Sequence, residues 1–177
     1  MTDRERDLVD ELMAISSFSI INDSAKAESI KQGFLLKYPA DVTSDYIIGL
    51  LETAYFEQNA DDVELSLYIG SSFGLITQNF TDILCKLVVA DWHFQHENIA
   101  STLQVLKDPK TIDNLYAATL LNLKYLEYSD VAPLARKCIW ALSEIGTGEA
   151  KAKLKQLAGS DCEKVSDYAL RQLKQLQ

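Results

Sequence analysis

The only two histidines of the chain stand together in Ala90-Asp91-Trp92-His93-Phe94-Gln95-His96-Glu97. A step of three residues puts both imidazoles on one helical face, an arrangement that suits a metal ion or a polar contact. The zinc-protease helix needs histidines four apart with a glutamate beside the first, and a third ligand beyond. Here the nearby carboxylates are Asp91 and Glu97 alone, so the pair reads as a surface or helix-cap pair, and neither a metal nor another cofactor is expected. Gly70-Ser71-Ser72-Phe73-Gly74 matches the G-x-S-x-G nucleophile elbow in letters. That elbow requires a strand entering a strained turn, whereas Val63 to Ile76 carries helical spacing, so glycines four apart are expected to let neighbouring helices approach. Gly146-Thr147-Gly148 lacks the third glycine and the leading strand of a dinucleotide loop. Three cysteines, Cys85, Cys138 and Cys162, contain no C-x-x-C and suit a reducing compartment as core fillers, with Cys138 and Cys162 on apolar sides. No complete catalytic set results, and the chain is not expected to be an enzyme.

The elements that carry these residues are helical. Apolar residues recur at three- and four-residue steps almost from end to end. Leu134, Cys138, Ala141, Leu142 and Ile145 form one stripe, and Val165, Ala169, Leu173 and Leu176 another. Gly146 closes the first, while Ser160 with Glu163 predicts a capping box that opens the second. A short helix from Glu149 to about Ala158 lies between. The two stripes superpose at a step of 31 residues, and Ile99-Ala-Ser-Thr-Leu103 repeats the pattern 39 residues before Leu142. The eight additional residues predict an elongated helix around Leu120 to Tyr128. Asp108-Pro109 predicts a helix start. Upstream, approximate helices fall near 5–17, 25–38, 43–57, 61–74 and 79–90.

The run Ala141-Leu-Ser-Glu-Ile-Gly146-Thr-Gly-Glu-Ala150, followed by a short helix and Val165…Ala169…Leu173, resembles the HEAT-like repeats of bacterial proteins, including subunits of phycobilin lyases. The resemblance covers about residues 92–177. It implies a single all-α domain over residues 1–177, a right-handed α-solenoid of about ten helices in antiparallel pairs. Residues 1–90 would be degenerate N-terminal helices and 91–177 the recognisable repeats, since stacked repeats need atypical ends. It also implies a concave face lined by the second helix of each pair. Aligning the repeats puts Glu97, Arg136 and Asp167 in one row of that face and Ser101, Trp140 and Arg171 in another. With His93 and His96 these are the expected partner-binding residues, and Trp140 is the outward aromatic among them. Tyr125 and Tyr128 are similar interface candidates. His96-Glu97 is also similar to the His-Glu pairs of deoxyhypusine hydroxylase, but two histidines cannot supply that enzyme's iron ligands.

The chain has 177 residues, 47% of them hydrophobic, with 17 Lys and Arg against 26 Asp and Glu. The net charge of −9 and a pI near 4.7 read as acidity throughout and argue against a nucleic-acid partner, which needs a basic stripe. Lys151, Lys153 and Lys155 read as a solvated helix face. With 7 Gly and 3 Pro the composition opposes disorder and a turn-dense β-sandwich. No apolar run is long enough for a bilayer, and no signal-peptide layout opens the chain, so a cytoplasmic location and no membrane partner are expected. Asn22-Asp23-Ser24 and Asn79-Phe80-Thr81 are then sequons without a glycosylating compartment. The function expected is a protein-binding module. A small acidic repeat protein suits an immunity protein whose acidic concave face neutralises a basic toxin domain. The alternative is an accessory subunit of an enzyme complex of the bilin-lyase type.

Overall fold

A computed structural model describes residues 1–19, 24–127 and 132–176. Ten α-helices and no strand occur among these residues, and none of the helices is long and apolar enough to cross a membrane. By contact the chain divides into two compact units, Met1–Ile76 and Thr77–Gln177. Tyr128 and the Asn22 sequon lie outside the described residues.

The first unit holds α1 (Asp3–Ser19), α2 (Ser24–Lys37), α3 (Ser44–Glu57) and α4 (Ala60–Ser72). α1 packs on α2 and α4, and α3 on α4. Val9, Leu12, Phe34, Ile47, Leu51, Val63 and Ile69 are buried between them. Thr43 and Asn59 cap α3 and α4 by accepting from the backbone N–H of Tyr46 and Asp62, which meets donors a helix start leaves orphaned. Asp62, 1% exposed, accepts from Arg6 Nε at 2.7 Å, from Arg6 Nη2 at 3.0 Å and from the Met1 ammonium at 2.8 Å. Beside it, buried Glu5 accepts from the Thr2 N–H and hydroxyl and from the Tyr46 hydroxyl at 2.7 Å. Burial raises both carboxyl groups, but these donors outweigh it and leave both below the ordinary carboxylate range.

Gly70 and Gly74 do different work. A Cβ on Gly70 would sit 3.1 Å from Ile76 Cγ1 and 3.4 Å from Ile47 Cγ2, so this glycine admits the chain that follows α4 and a side chain of α3. Gly74, at φ +64°, makes the turn out of α4, and no strand leads into it.

The second unit holds α5 (Thr81–Val88), α6 (His96–Leu106), α7 (Ile112–Thr119), α8 (Pro133–Ile145), α9 (Gly148–Ala158) and α10 (Glu163–Gln175). α7 packs against α5 and α9, and α8 against α6 and α10, which sorts the helices into two layers. Leu84, Leu87, Ile99, Leu103, Leu115, Cys138, Leu142, Leu154 and Ala169 fill the space between them. Asp108 caps the 3-10 turn that leads into α7, and Gly146, at φ +68°, ends α8. Two expectations fail. Among the described residues of the stretch expected as an elongated helix, 120–127 do not form one: α7 stops at Thr119, Leu123 is extended and buried, and Lys124–Leu126 is a single 3-10 turn. Ser160 does not cap α10; its hydroxyl accepts from the Cys162 N–H, and Cys162 is the residue at the cap position.

Charge follows the same division. Fourteen of the 26 Asp and Glu but five of the 17 Lys and Arg fall in residues 1–76, a formal −9, which leaves residues 77–177 with twelve of each. Acidity is therefore confined to the first unit.

Candidate functional site

His93 and His96 are not a surface pair. Both rings are fully buried and stacked, with centroids 4.2 Å apart, because His93 stands in the connection before α6 while His96 opens the helix. His93 Nδ1 accepts from the Gln95 N–H at 3.0 Å, so its Nε2 is the donor to the Leu87 carbonyl at 2.8 Å. His96 is bonded through Nε2 to the Ala90 carbonyl and through Nδ1 to the Tyr125 hydroxyl at 2.9 Å. A carbonyl only accepts, so Nε2 donates and the tyrosine gives its proton to Nδ1. The rings thus satisfy carbonyls at and beyond the end of α5. Burial, with the His96 ring opposing a second charge, pushes the His93 pKa down to about 4, and burial lowers that of His96 against the Ala90 carbonyl and Asp91, which raise it. Neither residue can meet a partner, which corrects their expected place in the binding face. Among the described residues no group of three or more His, Cys, Asp or Glu is set to hold a metal ion.

The other six expected residues fall on α6, α8 and α10, one of the two layers of the second unit. On α6, half-buried Glu97 pairs with Lys137 of α8 at 3.3 Å, and the Ser101 hydroxyl turns back to the Glu97 carbonyl at 2.9 Å. On α10, Arg171 is held by Asp167 one turn earlier, with Nε to Oδ1 at 3.1 Å and Nη2 to Oδ2 at 2.7 Å. Trp140 points outward, 40% exposed, and carries the Arg136 guanidinium 5.1 Å from its ring centroid. Cation and indole stack because residues four apart on a helix share a face.

Arg136, Trp140 and Arg171 meet in a groove of about 300 Å³ that Tyr168, Gln172 and Gln175 complete. The last three escaped the sequence reading. Their signal is present in α10, where 168, 172 and 175 follow a helical stripe beside Arg171. Glu97 and Ser101 lie on the adjacent helix and are not among the residues lining the groove. Arg136 Nε is buried without a hydrogen-bond acceptor, and no carboxylate among the described residues pairs with this guanidinium.

The thiols differ from expectation in one place. Cys138 is buried and its thiol pushed up to about 12 by loss of solvent, whereas Cys162 is exposed at the start of α10 instead of facing the core. Lys153 is not merely solvated: it pairs with Asp113 at 2.7 Å and lies over the Tyr116 ring.

No protein-family model matches the chain, and neither a curated protein nor a solved structure matches it.

Proposed function

We propose that the protein is a non-enzymatic protein-binding module that holds its partner against α8 and α10. The observation that carries this reading is the groove: Trp140 stands out of the apolar core among long polar side chains, a combination that favours anchoring and offers no nucleophile with a base beside it. In the same reading α5 to α10 are HEAT-like pairs of a right-handed α-solenoid. Their two layers and the repeat steps of 39 and 31 residues support it. The free thiols Cys85, Cys138 and Cys162 fit a cytoplasmic setting.

A narrower form is an immunity protein that neutralises a basic toxin domain. Its support is the −9 charge of residues 1–76, where Phe56 is 88% exposed on α3 with Glu52 and Glu57 exposed nearby. The acidic surface of this reading thus belongs to the first unit, since Arg136, Arg171 and Asp167 leave the α8–α10 groove net positive. The bilin-lyase alternative requires a reactive thiol or a bound chromophore; the high pKa of Cys138 weighs against that residue, and exposed Cys162 is the thiol left to this reading.

The test is capture on the full chain from lysate of the native cell at low and moderate salt, with Trp140→Ala and Glu52→Lys chains in parallel. The reading expects one protein at stoichiometric amount, weakened at least tenfold by Trp140→Ala. Loss with Glu52→Lys, together with a basic captured protein, would support the toxin form. A partner retained equally by all three chains would sink the proposed face.

A further inference from the structure

We infer that the α8–α10 groove is a receptor for a single carboxylate, the side chain of an Asp or Glu within a partner protein's chain. This rests on the reading of α8 and α10 as a docking face and specifies its chemistry. Arg136 lines the groove on the Trp140 indole, yet none of its side-chain N–H groups has an acceptor among the described residues, and its Nε is buried. A buried donor without an acceptor is costly, and a guanidinium is shaped to give two parallel hydrogen bonds to a carboxylate. Other cations of this region are engaged: Arg171 by Asp167, Lys137 by Glu97, Lys153 by Asp113. Arg136 is the cation left over in the groove.

Charge counting narrows the ligand. One free guanidinium matches a monoanion, whereas a phosphate dianion would bring its second charge toward the Asp167 carboxylate that already holds Arg171. Residues 77–177 carry no net charge, so nothing long-ranged in this unit opposes one carboxylate, while a polyanion finds no basic stripe. Trp140 and Tyr168 line the same groove and supply ring surface for the residues that neighbour the acid in its chain. An acid within a chain has neighbours on both sides, and a chain end on one only. Gln172 and Gln175 offer amide donors to the peptide backbone.

The experiment uses the full chain on an array of immobilised hexapeptides with random flanks and a fixed position held as Glu, Gln, Lys or phosphoserine, plus a set whose acid is the free C-terminus alone. The inference expects the internal Glu set to be enriched at least tenfold over Gln. Arg136→Gln should abolish that preference, while Lys137→Gln, the same charge change one residue away, keeps it. Thermal melts of both variants check folding, and Arg136→Lys, if it folds, should recover part of the preference without two-pronged geometry. Equal binding of Glu and Gln peptides that still depends on Trp140 overturns the carboxylate and leaves the docking face standing. No binding to any set, or binding indifferent to Trp140→Ala, overturns both. Preference for phosphoserine or for the free C-terminus overturns the source proposed here.

Discussion

Protonating His93 would take the acceptor away from the Gln95 N–H and set a charge against the His96 ring stacked on it. Above the ordinary histidine pKa of about 6.5, folded and unfolded chains both hold a neutral ring, and the stabilisation from these bonds is complete. As pH falls from there toward about 4, the unfolded chain takes up a proton that the folded chain refuses, so stability drops. The gap corresponds to ~3 kcal/mol by the time the folded ring titrates. Chemical denaturation at several pH values should therefore show stability declining below about pH 6.5, ahead of the carboxylates, whose own loss comes lower. His93→Gln should be weaker by ~2 kcal/mol near neutrality and flatter through that window. An equal slope in both chains would refute the assignment. Asp62 gives the opposite kind of test, because its folded pKa is depressed and its contribution is present above the ordinary carboxylate range. Arg6→Ala should cost ~2 kcal/mol by denaturant titration, less than the ~3–5 of a fully buried pair, since Arg6 keeps a third of its side chain in water and the Met1 ammonium remains.

At the scale of elements, glycines 146 and 148 separate two causes that look alike in the sequence. Gly146 ends α8 in the left-handed region, so Gly146→Ala should lose ~1 kcal/mol. Gly148 opens α9 with nothing within 4 Å of where a Cβ would go, so Gly148→Ala should be neutral or slightly stabilising. Equal losses in the two melts would contradict the cap. Helix positions were legible because stripe and breaker coincide, as at Leu142, Gly146 and Thr147. Residues 120–127 were not: Leu120, Leu123 and Leu126 imitate a helical stripe, yet Leu123 reaches the core from an extended backbone. Burial of the histidines was equally hidden, since it depends on the Leu87 and Ala90 carbonyls and on a hydroxyl 29 residues away at Tyr125. The candidate groove was half legible. A repeat step carries Trp140 onto Arg171, but the vacancy at Arg136 depends on which neighbouring carboxylates reach which cations, a matter of three dimensions.

For the whole molecule, the division of charge has a measurable effect on stability. Fourteen acids against five bases repel one another within residues 1–76, and added salt screens that repulsion. Hydrogen exchange on the full chain, followed helix by helix from about 20 to about 200 mM salt, should show protection rising in α3 and α4 and unchanged in α8 and α9. Uniform change across both units would argue against separate electrostatic behaviour. The same partition makes residues 1–76 a separate polyanion within the chain. On an anion-exchange resin it should be held by residues 1–76 alone, so that charge-altering substitutions at Glu52 or Glu57 shift the elution salt while those at Glu144 or Glu149 scarcely move it. A cationic surface would then take up the protein through residues 1–76 without any engineered tag.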